Sequence, residues 1–198
     1  MPDTRIHVPY ITSWSTETPV IPTVIRHPNG VGIAYADETM GDRDRSGILW
    51  VRVPSTPGTG RPLFGKVHSL RQRRAMRRLL CQVCGEPADQ APDGVLWLLL
   101  DHRADWPGWP NRMGVTEPPI CRPCAELSVH ACPALRDGYA LVRAQVYDIA
   151  GVQGMRYRPG NTGVAAVDLA MVAHSDAAAP WVLASNLVRE LRDCVIVD

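Results

Sequence analysis

Two short cysteine pairs, Cys81-Gln-Val-Cys84 and Cys121-Arg-Pro-Cys124, constrain this chain more than any other feature in it. A two-residue gap lets both sulfurs of a pair reach one ion, and two such pairs supply the tetrahedral thiolate set that zinc prefers. The fold must therefore bring residue 84 back to residue 121. Six cysteines would suit three disulfides, but paired short spacings point to a metal before a disulfide framework. Cys132 and Cys194 stand apart from the pairs and read as small buried residues. A structural Zn²⁺ held by Cys81, Cys84, Cys121 and Cys124 is the expectation.

The segments around the pairs extend it. Gly85 follows Cys84 and permits the tight turn of a zinc knuckle. From Cys121 no breaker intervenes before Ala131, and a helix is expected from near Cys121 to about Leu135. A knuckle, an intervening β segment and a second pair on a helix's first turn resemble the treble-clef zinc finger over residues 81–132. Between the pairs a hydrophobic strand, Val95–Leu100, ends in Asp101-His102, and this resembles the zinc-containing HNH endonucleases. That resemblance implies a divalent-metal-dependent nuclease with Asp101 as metal ligand and His102 as general base, and it sets Asn111 near the family's central Asn. Ala125 occupies the place directly after the last cysteine where that family carries His or Asn. His130 reads as a hydrogen-bonded helix residue instead of a ligand in a second site with Cys132.

Charge placement adds a second constraint. The formal net charge is only +1, which excludes a polybasic, histone-like chain. Yet residues 46–85 hold eight basic residues and no acidic one, leaving −7 for the rest. Only one of the basic residues in the whole chain, Lys66, is a lysine. The Arg preference matches a GC-rich coding habit, so only arginine placement is informative. A helix is expected over Leu70–Leu80 with Ser69 as its N-cap. On it Arg71, Arg73, Arg74, Arg77 and Arg78 share one arc, and Ala75, Met76, Leu79 and Leu80 the opposite one. The arginine arc suits nucleic-acid phosphates or an acidic protein partner.

The remaining sequence reads as an α+β chain forming one compact unit. A β-rich N-terminal region (1–60) carries strand-like runs at Ile6–Ile11, Val20–Arg26, Val31–Ala36 and Ile48–Val53, with a hairpin turn at Pro28-Asn29-Gly30. A Pro/Gly-rich loop follows at Pro54–Pro62. The zinc module with its basic helix spans 61–135. A C-terminal α+β region (136–198) has strands at Tyr139–Tyr147, Gly154–Tyr157 and Val164–Val172, and a turn at Gly151–Gly154. It continues with a helix from Pro180 to Arg192, on which Trp181, Ala184, Leu187, Val188 and Leu191 share a face, and a last strand at Cys194–Val197. Asp42–Gly47 resembles the opening of a calcium loop, but Val53 stands where the bidentate Glu is needed. No segment has the length of a signal peptide or of a membrane span, so a soluble, cytoplasmic protein is expected. Taken whole, the stretches HVPYITSWSTE (7–17), GVGIAYADE (30–38), SLRQRRAMRRLLCQVCG (69–85) and PPICRPCAELSVHACPALRDGY (118–139) resemble a family of uncharacterised actinobacterial proteins.

Overall fold

The computed structural model describes residues 7–20, 22–161 and 163–197. Four short strands come first: β1 (Thr12–Trp14), β2 (Val24–Arg26), β3 (Ile33–Tyr35) and β4 (Leu49–Trp50). Next come β5 (Pro62–Val67) and helix α1 (Ser69–Arg78), then β6 (Gln90–Ala91), β7 (Gly94–Leu100) and β8 (Met113–Val115). Helix α2 (Arg122–Ala131) precedes the three longest strands, β9 (Tyr139–Gly160), β10 (Gly163–Ala173) and β11 (Val182–Val197). Strand accounts for 44% of residues against 14% helix, so the α+β class holds with the sheet dominant.

An antiparallel ribbon of β9 and β11 is the spine, registered from Val182↔Arg156 to Val197↔Leu141. The outer edge of β9 takes β7 along its first half and β10 along its second. β8 pairs antiparallel with β11, and β4 pairs with it in parallel. Glycines permit this crowding. A Cβ at Gly154 would lie 2.1 Å from the Leu183 carbonyl oxygen, and one at Gly151 would lie 2.2 Å from that of Val172. Gly151 and Gly154 are therefore interior strand positions where backbones approach closely, not the turn expected from sequence. Strand β9 accordingly runs unbroken through what read as two strands.

The C-terminal helix expected over Pro180–Arg192 is also corrected: those residues form most of β11, preceded by one turn of 3-10 helix at Ala179–Trp181. Ser185 is left out of register between Ala184↔Gly154 and Asn186↔Gln153, and a second slip follows between Val188 and Arg189. The first slip puts its extra residue on β11 and reverses the face taken by the residues after Ser185, whereas the extra residue of the second, Ala150, lies on β9. Burial then comes in groups, residues 182–184 and 187–189, and these groups imitate the spacing of a helical face.

In the N-terminal region strands form near Val20–Arg26, Val31–Ala36 and Ile48–Val53 but are shorter than expected. The turn at residues 28–30 joins β2 to β3, with Gly30 N–H donating to His27 O at 2.8 Å. The expected strand at Ile6–Ile11 begins outside the described residues; pairing starts at Thr12, opposite Val67 of β5.

Strand β7 divides the interior. Val95, Trp97 and Leu99 enter a large core with Trp50, Met76, Leu187 and Leu191, while Leu96 and Leu98 enter a smaller one with Cys81, Val83, Ile120, Cys124 and Ala125. Burial on both faces explains why Val95–Leu100 shows no polar alternation. A third cluster of Ile33, Tyr35, Leu49 and Leu183 ties β3 and β4 to the spine.

Candidate metal centre

The knuckle is built from backbone hydrogen bonds. Gly85 N–H donates to Cys81 O at 2.9 Å, and Cys81 N–H donates to Glu86 O at 2.7 Å. Gly85 has φ +76°, and a Cβ there would sit 2.9 Å from the Tyr10 ring. Residues 119–120 return beside the knuckle: Gln82 N–H donates to Pro119 O, and Ile120 N–H to Leu96 O, both at 2.9 Å. That return brings Cys121 to the N-cap of α2 and Cys124 into its first turn, with Pro123 beside them where a helix start tolerates proline.

All four Sγ atoms lie within 4.8 Å of one another, and those of Cys84 and Cys121 are 3.8 Å apart. Zn–S bonds of about 2.3 Å in a tetrahedron place sulfurs about 3.8 Å apart, so the donor set fits zinc. A disulfide needs about 2.05 Å, and all six cysteines are free thiols. Cys81 and Cys124 are buried, whereas Cys84 and Cys121 lie nearer the surface. Burial raises the Cys81 thiol, but N–H groups of Cys84, Cys121 and Val83 directed at it outweigh burial and draw it below the usual thiol range. Burial, together with the sulfurs crowded around it, pushes Cys124 well above that range. One thiolate thus forms readily and opposes the next, a repulsion that a cation among the sulfurs removes.

The HNH-type residues are placed differently. Asp101 and His102 follow β7, where Asp101 accepts from Arg103 N–H at 3.1 Å and from its Nε at 2.9 Å. These bonds hold the Asp101 carboxyl below its ordinary range. His102 Nδ1 lies 2.7 Å from Asp105 Oδ2, and Asn111 Oδ1 accepts from Cys194 N–H at 2.9 Å. His130 Nδ1 donates to Glu126 O at 2.7 Å. Among the described residues only the four cysteines bring three or more metal-ligating groups together, so Asp101, His102, His130 and Cys132 assemble no second metal site.

The five arginines of α1 separate into three environments. Arg71 is corrected from the outer to the inner face. It is buried, and its Nη1 and Nη2 donate to the Glu17 carboxylate at 2.8 and 2.7 Å. Gln72 is inside as well, bonded to Leu187 N–H and O at 2.9 Å each. Arg73 lays its guanidinium 4.4 Å from the centre of the Trp50 ring. Arg74, Arg77 and Arg78 remain exposed; Arg74 bonds Tyr10 Oη at 3.2 Å and Arg77 reaches Asp44 at 3.4 Å. The N-cap is His68, whose Nδ1 accepts from Arg71 N–H, not Ser69.

Sequence reading missed the buried group of Glu17, His68 and Arg71. Glu17 is 54 positions from Arg71, and no spacing rule links them. Arg189 was missed too: this buried side chain donates twice to Met76 O, at 2.9 and 2.7 Å, and fastens the end of α1 to the spine. No helix among the described residues is long and apolar enough to cross a membrane. In comparison with known proteins the chain matches no family model, no curated protein and no solved structure.

Proposed function

We propose that Cys81, Cys84, Cys121 and Cys124 hold one structural Zn²⁺ in a treble-clef-like module, and that the basic helix leading into this module contacts nucleic acid. The single observation behind the metal is the sulfur geometry, with an edge of 3.8 Å and no separation above 4.8 Å. Four protein ligands fill the tetrahedron, so zinc serves as a cross-link and not as a Lewis acid for catalysis. The cross-link closes the excursion through β6, β7 and β8 and seats Cys81 and Cys124 on the smaller core. Elemental analysis of the undenatured protein is expected to give about one zinc per chain, with Cys84→Ser losing both metal and stability. Only trace zinc would overturn this reading.

The nucleic-acid part is supported by Arg74, Arg77 and Arg78, exposed on α1 immediately before the knuckle. Three phosphate contacts would give a salt slope of about −2 to −3. Binding of DNA and RNA oligonucleotides at low salt is expected to weaken with that slope and to be lost when all three arginines are changed to Glu. Absence of binding at low salt, or binding that survives the triple change, would reject nucleic acid as the partner. Binding of an acidic protein by the same three arginines would then assign the face to that partner.

A further inference from the structure

A cleft of about 370 Å³ lies away from the cysteines, between β1, β5, the start of α1 and the bulge of β11. Its volume falls at the lower end of sites that hold small molecules, about 300–1,000 Å³. Trp14, Val53, Leu63 and Val67 give it a predominantly apolar wall. Its polar groups are few and specific. Ser69, the first residue of α1, lines the cleft while 96% buried, and its hydroxyl has no hydrogen-bond partner among the described residues. A buried, unsatisfied hydroxyl costs about 1–3 kcal/mol, which a bound acceptor removes.

Three further features fix the sign of that acceptor. The backbone N–H of Arg71 goes to His68 Nδ1 and that of Gln72 to His68 O. Among the described residues the N–H groups of Ser69 and Leu70 have no acceptor, at the positive end of the helix. Lys66, the chain's single lysine, is exposed among the lining residues and makes no ion pair with any described residue. Glu17 also lines the cleft, but its carboxylate is neutralised by Arg71 and accepts from Trp14 and Thr56 N–H at 2.8 Å each. The cleft thus combines an apolar wall with one uncompensated cation and a helix N-terminus. Ser185, the residue displaced by the first bulge of β11, completes the lining, consistent with bulges that turn a side chain toward a site.

We propose that this cleft binds a small monocarboxylic acid with an apolar body, its carboxylate at Ser69 and Lys66 and its body against Trp14, Leu63 and Val67. The assignment is independent of the zinc reading.

Lys66 provides the test, because protein labelled with α-¹⁵N-lysine gives a single backbone amide signal, that of Lys66. Zinc-loaded protein is titrated with sodium octanoate, and with 1-octanol as the uncharged counterpart. Octanoate is expected to shift the Lys66 signal saturably, with 1-octanol binding about tenfold more weakly. Ser69→Ala is expected to weaken octanoate about tenfold. Val67→Trp, at a position 47% exposed and therefore tolerant of bulk, is expected to block it while leaving the far-ultraviolet spectrum unchanged. No saturable shift, equal binding of acid and alcohol, or full binding by folded Val67→Trp protein would each overturn the proposal. If Ser69→Ala does not fold, the octanol comparison and Val67→Trp decide it.

Discussion

The two faces of β7 show two ways of stabilising the same strand. Toward Val95, Trp97 and Leu99 the protein packs residues from β4, α1, β9 and β11 into one large core. Toward Leu96 and Leu98 it has a handful of side chains, two of them cysteines. Apolar burial contributes about 25 cal/mol per Å², and a cluster so small does not offset the chain entropy of ordering residues 81–135. The large core holds by burial, whereas the small one calls for a cross-link. The difference teaches that a metal held by the four cysteines would belong to the architecture of one half of the molecule and not to the whole.

The largest effect expected is on that half alone. Removing zinc with a chelator, or replacing Cys124 with Ser, should destabilise the module by several kcal/mol. Hydrogen exchange should then show amides of residues 81–131 opening before those of β9 and β11. Simultaneous opening of both regions would break the comparison. Trp97→Ala acts on the other face and should cost about 3–5 kcal/mol, read as a fall in melting temperature with zinc stoichiometry unchanged.

The Glu17–Arg71 pair sharpens the comparison with a third kind of interior, ionic and independent of metal. Burial alone would raise the Glu17 carboxyl, but the Arg71 guanidinium with Trp14 and Thr56 N–H overcomes it and holds it at about 2. A depressed carboxyl contributes stability that is complete above its unfolded value of about 4.3 and is lost as pH falls toward 2. Melting temperature should therefore fall more steeply over that window in the wild type than in Glu17→Gln. At neutral pH Glu17→Gln should itself be destabilised by about 3 kcal/mol, since Arg71 is left buried without its partner. Leu98→Ala gives the smallest effect, about 2 kcal/mol. Unlike Trp97→Ala, it should lower zinc affinity as well, because Leu98 lies in the cluster that contains Cys81 and Cys124.

Sequence reading reached what local chemistry determines. The cysteine spacing located the donor set, and the unbroken run after Cys121 located α2. The apolar run at 95–100 marked β7 without revealing its two cores. It failed where a distant partner decides the outcome. Ala184 and Leu187 enter the same core at helical spacing only because the bulge at Ser185 resets the alternation of β11. Gly151 and Gly154 resemble a turn until neighbouring carbonyls are seen to occupy the space of their absent side chains. Arg71 belonged to the basic arc on a helical wheel because no wheel contains Glu17. Lys66 stood out in the composition, but its place beside the cleft depends on β5, a strand that went unrecognised next to the Pro/Gly-rich loop.

Strand β11 lies C-terminal to nearly everything it organises. Val51 N–H is held by Ala184 O, and Gln72 is bonded to Leu187, 115 positions away. During synthesis, therefore, α1 and β4 emerge before β11, and β7 and both cysteine pairs emerge before β9, the partner of β7. A nascent chain at that stage has its four thiols but not its spine, and metal capture can precede burial. Vectorial synthesis thus leaves apolar β7 without the β9–β11 ribbon until those strands follow, an interval in which unpaired strand edges are prone to aggregate.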